Sequence, residues 1–136
     1  MASVAEALET IIYEVASCYD RKQGDGAAEY FTHDAEIWDS TGRIAAGPEA
    51  MHRLQTRCAD HGLVTRHVHN NVRLLDGDER HARAHSVLTL YMGPGSCSAK
   101  PCLIADDTYD FVLGSDGQWR IRRRTVSSVF GDAPTV

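Results

Sequence analysis

Polar and apolar residues alternate along this chain with two different periods, and the change falls near position 63. Before it, apolar residues recur every three or four positions. Ala7, Leu8, Ile11, Ile12, Val15 and Tyr19 form one such stripe, the mark of a helix with one buried face. Ser3 opens it, and Glu6 follows three residues later as a capping box, so a helix is predicted over residues 3–21. Gln23-Gly24-Asp25-Gly26 reads as its C-cap and turn. A short second helix is predicted over 27–31. Two short strands follow over 35–39 and 43–46, around the turn Ser40-Thr41-Gly42. Gly47-Pro48-Glu49 opens a third helix that runs through Met51, Leu54 and Cys58 to Gly62.

After position 63 the period drops to two. Residues 63–75, 81–92, 103–113 and 119–130 are four long strand candidates. Asp76-Gly77-Asp78, Gly93-Pro94-Gly95 and Ser115-Asp116-Gly117 are the turn signals between them. Helices followed by an antiparallel meander predict an α+β domain, with the helices covering one face of a curved sheet. The first long strand, LVTRHVHNNVRLL, carries the most informative pattern. Strict alternation puts Thr65, His67, His69, Asn71 and Arg73 on one side and Val64, Arg66, Val68, Asn70, Val72 and Leu74 on the other. A face with two imidazoles, an amide and a guanidinium either meets water or lines a cavity where those groups act.

Composition narrows the choice. At 136 residues the chain reads as one domain, 1–136, with a core of about 5–130 and a loose tail after Phe130. It is 43% hydrophobic and 24% charged, with a formal net charge of -5, a balance that excludes a nucleic-acid partner. Arg120, Arg122, Arg123 and Arg124 form the only basic cluster, and they lie inside a strand pattern. No window approaches the roughly 18 apolar residues of a membrane span, and the N-terminus lacks a basic segment before an apolar run. The expectation is a cytoplasmic protein. Cys18 and Cys58 fall in helical patterns and read as small buried apolar groups. Cys97 and Cys102 flank a loop and could pair, but a cytosolic setting argues against it.

The order of elements and several local phrases resemble the SnoaL-like branch of the nuclear transport factor 2-like superfamily. The phrases are Tyr19-Asp20, Tyr30-Phe31-Thr32-His33-Asp34-Ala35 and Gly47-Pro48-Glu49-Ala50-Met51. Further on come Thr65-Arg66-His67 with Asn71, Asp76-Gly77-Asp78, and Asp116-Gly117-Gln118-Trp119-Arg120-Ile121 with Arg124. The resemblance implies a cone, a strongly curved antiparallel sheet wrapped by three N-terminal helices around a deep pocket. It also implies a homodimer across the sheet's outer face. In motif the chain is most similar to the scytalone dehydratase and lindane dehydrochlorinase branch. By that likeness Asp20 at the end of the first helix and His67 on the strand after the third are the catalytic pair, with Arg124 beside them.

The implied chemistry is proton transfer. A carboxylate that accepts one ring N–H of a histidine fixes its tautomer and stabilises the imidazolium, leaving the other nitrogen as base. Arg124 would steady developing negative charge. Loss of water, loss of HX and a double-bond shift all need these parts, so the expected activity is that of a lyase or isomerase. Pocket-lining candidates from the same likeness are Tyr19, Tyr30, Phe31, Trp38, His85, Tyr109 and Phe130, and the dehydratase pattern makes Asp106 the inward member of Asp106-Asp107. The ligand implied is an apolar, cyclic small molecule of polyketide or steroid type with one or two oxygens.

No cofactor is expected, because the reaction moves only protons and there is no glycine-rich nucleotide loop. His67, His69 and His85 have spacings that metal ligands use, but no glutamate follows at a cupin-like distance. The rival to an enzyme is a ligand-binding or subunit module. Thr65-Arg66-His67 with Asn71-Val72 is also similar to small subunits of aromatic-ring dioxygenases, though the chain is short for that class.

Overall fold

The computed structural model describes residues 3–59, 62–95 and 100–131. Helix α1 spans Val4–Asp20. Its N-terminus is closed by the capping box, with Glu6 N–H donating to Ser3 Oγ at 3.2 Å and Ser3 N–H donating to Glu6 Oε2 at 2.7 Å. Leu8, Ile11, Ile12, Val15, Ala16 and Tyr19 are its buried stripe. The second helix, α2, is Gly24–Ala27, followed by a single 3-10 turn, Ala28–Tyr30. It starts three residues before the predicted position. Lys22, at φ 61°, reverses the chain by itself, so Gly24 to Gly26 are free to coil. Then come β1 (Phe31–Asp39), β2 (Gly42–Ala46) and α3 (Gly47–Ala59). The four long strands are β3 (Val64–Gly77), β4 (His81–Gly93), β5 (Pro101–Leu113) and β6 (Trp119–Gly131).

These strands make one curved, open sheet in the order β2-β1-β6-β5-β4-β3. The sheet is mixed, and the expectation of an antiparallel sheet needs one correction. β1 runs parallel to β6, pairing Ile37 with Arg124 and Trp38 with Thr125. Hairpin turns dictate antiparallel pairing only between consecutive strands. β1 and β6 are joined by no turn, so local sequence says nothing of their relative direction.

Alternation on the central strands assigns the concave face. Ala82, Ala84, Ser86, Leu88 and Leu90 of β4 are buried, as are Leu103, Ala105, Asp107, Tyr109 and Phe111 of β5. The apolar members fall into two clusters. One joins α1 and α3 to Ala82, Ala84, Tyr109, Phe111 and Ile121; the other joins Leu88 and Leu90 to Leu103 and Ala105. A polar belt of Ser86, Asp107 and Arg124 lies between them along the strands.

β3 departs from strict alternation. Asn71 has φ 54° and the register with β4 slips between Asn70 and Arg73, which is a β-bulge. Thr65, His67 and His69 share one side of the strand, and that side faces inward; beyond the bulge it is Val72 that packs on the core, and Arg73 is exposed. The extra residue moves Asn71 and Arg73 out of the inward set. Among the cysteines, Cys18 is half-buried against the first cluster and Cys102 against the second. The Cys58 side chain, Cys97 and the tail beyond Gly131 lie outside the described residues, and with them the pairing of Cys97 with Cys102.

Candidate active site

Asp20 is the last residue of α1, at the negative end of the helix dipole. A carboxylate there works against the helix, so its position needs another explanation, and its partners provide one. Thr65 Oγ donates to Asp20 Oδ1 at 2.9 Å, the His67 backbone N–H donates to Oδ2 at 2.9 Å, and His67 Nδ1 lies 2.7 Å from Oδ1. Thr65 is 1% exposed, and the Asp20 and His67 side chains are 13% and 12% exposed. The Tyr19 ring sits 5.6 Å from the His67 ring and packs on it. Burial alone would raise the Asp20 pKa, but the bonds from His67 and Thr65 outweigh it and hold the carboxyl below its ordinary range. An ionised Asp20 can only accept. His67 therefore carries a proton on Nδ1, and the neutral form of the ring has its lone pair on Nε2.

A cavity of about 370 Å³ borders this pair between α1 and β3, lined by Tyr13, Ala16, Ser17, Arg21 and Arg66 as well as Asp20 and His67. A larger depression of about 640 Å³ is lined by Asp34, Asp76, Asp110, Arg83 and Arg123 among others. It shares no residue with the site predicted from sequence.

Deeper in the fold lies a second polar group. Asp107 is fully buried, and Arg124 grips it with Nε 3.0 Å from Oδ1 and Nη2 2.7 Å from Oδ2. Tyr109 Oη donates to Asp107 Oδ2 at 2.7 Å. His69 Nδ1 is 2.9 Å from Ser86 Oγ and 4.0 Å from Asp107 Oδ2. Burial pulls the His69 pKa down to about 4, with Asp107 only partly opposing it, so this imidazole is neutral. Burial pushes the Tyr109 hydroxyl well above its ordinary value. Arg124 would lose basicity on burial, but Asp107 more than compensates and keeps it charged.

The structure thus brings Asp20 and His67 together, and places Arg124 inside but committed to Asp107. Tyr19, Phe31 and Tyr109 are buried in the first apolar cluster, and Tyr30 packs at its edge. Four candidates lie elsewhere. Asp107 is the inward member of its pair, while Asp106 is 54% exposed and bonds His85 Nε2 at 3.2 Å on the outer face. His85 and Asp106 are therefore outside the cone. Phe130 is 67% exposed. Trp38 alternates with the buried Ile37 and is covered by the Arg123 guanidinium at 4.4 Å, on the outer side of β1. His85 also lies on the opposite face from His67 and His69, so the three do not converge. Among the described residues no cluster could hold a metal ion. Sequence reasoning missed Asp107 and Ser86. Counting in twos from Leu103 would have found the first, since Asp107 is in phase with Ala105, Tyr109 and Phe111; Ser86 is likewise in phase with Ala84 and Leu88.

The family model for the SnoaL-like domain matches residues 2–125. The chain belongs to the SnoaL-like family. No curated protein sequence matches it. Among solved structures, this SnoaL-like chain is similar to a candidate scytalone dehydratase from Novosphingobium aromaticivorans, at 20% identity and TM-score 0.79, covering 96% of this chain and 87% of that one. A candidate aromatic ring hydroxylase from the same organism matches at 14% identity and TM-score 0.83, covering 99% and 96%. A Catenulispora acidiphila protein in complex with S-DNPA matches at 15% identity and TM-score 0.76, covering 90% of each chain. At these identities the likeness is one of fold. No helix among the described residues is long and apolar enough to cross a membrane.

Proposed function

We propose that this SnoaL-like protein is a small-molecule lyase or isomerase in which His67 moves the proton and Asp20 holds it in place. The observation that carries this is the 2.7 Å contact between His67 Nδ1 and Asp20 Oδ1, in a carboxylate that three separate donors orient. Nε2 of His67 takes a proton from a carbon next to a carbonyl. The resulting imidazolium is stabilised by Asp20 and returns a proton either to a departing hydroxyl or to another carbon. The first outcome is elimination, the second a double-bond shift. Arg124 works through Asp107 and Tyr109 as a fixed array of dipoles rather than as a free charge. Tyr19 supplies an aromatic wall, and Arg21 and Arg66 on the cavity rim suit the oxygens of an otherwise apolar ring. The scheme calls on no metal or organic cofactor.

The test is exchange of the α-protons of small cyclic hydroxyketones in D₂O, followed by NMR. Wild-type protein should accelerate exchange, and Asp20→Asn and His67→Ala should each lower it by about 10²- to 10⁴-fold. Circular dichroism should show both variants folded. Exchange that survives His67→Ala would reject the mechanism.

A second reading has one observation in its favour, the likeness over 99% of the chain to a candidate aromatic ring hydroxylase. It would make the protein a binding or subunit module. The orientation of Asp20 by three donors, against the helix dipole, favours the enzyme. In either reading we propose a homodimer through the outer face of the sheet, where Val64 and Val68 are 48% and 42% exposed. Light scattering at tens of micromolar should give the dimer mass; a monomer would reject it.

A further inference from the structure

The buried polar belt has a direction, which can be read from its proton donors. Asp107 accepts only, from Arg124 and from Tyr109 Oη at 2.7 Å. Tyr109 has therefore used its one proton, and its oxygen can only accept from anything else. The 2.9 Å contact between Ser86 Oγ and His69 Nδ1 is made with the proton of one or the other. Asp107 Oδ2, 4.0 Å from the same nitrogen, accepts only and so favours the proton on the histidine. Nδ1 is thus the protonated nitrogen and Nε2 holds a lone pair. Among the described residues Nε2 has no hydrogen-bond partner. His69 shares the inward side of β3 with His67, two residues and so about 6.5–7 Å away.

We propose that Nε2 of His69 is a fixed hydrogen-bond acceptor that selects ligands carrying a neutral donor, a hydroxyl or N–H, about 6–7 Å from the atom His67 approaches. This deepens the Asp20–His67 reading and rests on it. The two imidazoles then have different tasks. Asp20 supports a positive charge on His67. On His69 burial and the neighbouring Arg124 oppose one, so it stays neutral and recognises rather than reacts. A site whose acceptor is buried penalises a ligand that lacks the donor, because the acceptor is then left dry and unpaired.

Histidine-labelled ¹⁵N protein tests the proton order, and the probes 4-ethylphenol and 4-ethylanisole test recognition. The two differ only in the donor. In the free protein, long-range ¹H–¹⁵N spectra should show His69 with Nδ1 protonated and Nε2 bare. 4-Ethylphenol should shift the Nε2 resonance towards its hydrogen-bonded position, and should bind at least about tenfold tighter than the ether, equivalent to about 1.4 kcal/mol. His69→Phe should reduce that ratio to about one. Ser86→Ala, a milder change, should mix the tautomers and lower the ratio without unfolding the chain. A protonated Nε2 in the free protein overturns the proposal. So do equal affinities, binding of neither probe, or a ratio that persists in both variants. Asp20→Asn and His67→Ala should leave the ratio intact, so a preserved ratio with no proton exchange in the wild type would reject the catalytic reading alone.

Discussion

Replacing Arg124 with methionine would strand a carboxylate in the middle of the protein. Asp107 is fully buried, and Arg124 supplies three of its short contacts, at 3.0, 3.2 and 2.7 Å. Without them the carboxylate keeps, among the described residues, only the hydrogen bond from the Tyr109 hydroxyl. Removing one partner of a buried pair costs about 3–5 kcal/mol, a large share of the roughly 5–15 kcal/mol that a domain of this kind has in total. Arg124→Met should therefore lower the urea midpoint sharply at constant slope, followed by circular dichroism and fluorescence together. The double variant Asp107→Leu with Arg124→Met removes both charges at similar volume. It should recover all but about 1 kcal/mol, the remainder being the Tyr109 hydroxyl left without its acceptor. A loss below about 1 kcal/mol in the single variant, or a double variant no better than the single, would refute the claim that the pair is a mutual charge balance.

His69 has a folded pKa of about 4 against an ordinary 6.5, so the unfolded chain takes up a proton that the folded one refuses. Its contribution is complete above about pH 6.5 and is lost as pH falls towards 4, about 3 kcal/mol in all. Stability measured across that window should flatten in His69→Phe; an unchanged slope would show that another group carries it. Gln55 on α3 is 1% exposed, and among the described residues neither end of its amide has a partner. Gln55→Met, similar in volume, should raise stability by about 1–3 kcal/mol in thermal melts, and a loss would mean that an ordered water or ligand satisfies the amide.

Much of the fold was legible because each predicted element had both its period and its stop signal. α1 had Ser3 and Glu6 at one end and glycines after the other, and the long strands were separated by turn residues. The Asp20–His67 pair was legible only through resemblance, since the residues meet across 47 positions of chain and no local pattern links a helix end to a distant strand. What sequence reasoning got wrong has two physical sources. The parallel pairing of β1 with β6 is a non-local contact that turn chemistry does not govern. Asp106 was chosen over Asp107 by analogy when the phase of Leu103, Ala105 and Tyr109 argued for the other. His85 and Trp38 follow the same lesson, because in a strand a polar or aromatic residue belongs to whichever face its neighbours assign it.

The extra residue at Asn71, the first of two register slips in β3, sets end to end two stretches written in different reading frames. Upstream of it the odd-numbered residues face the interior and carry the polar chemistry; downstream Val72 takes over and the interior is apolar. Each half can therefore change its inward side chains without disturbing the phase of the other. Deleting one residue at the junction would not shorten the strand so much as invert one half of it, turning Val72 out or His67 and His69 away from Asp20 and Ser86. For the same reason, an ungapped comparison of this strand with that of a relative lacking the bulge would match inward residues to outward ones from Val72 up to the second slip, between Leu74 and Asp76.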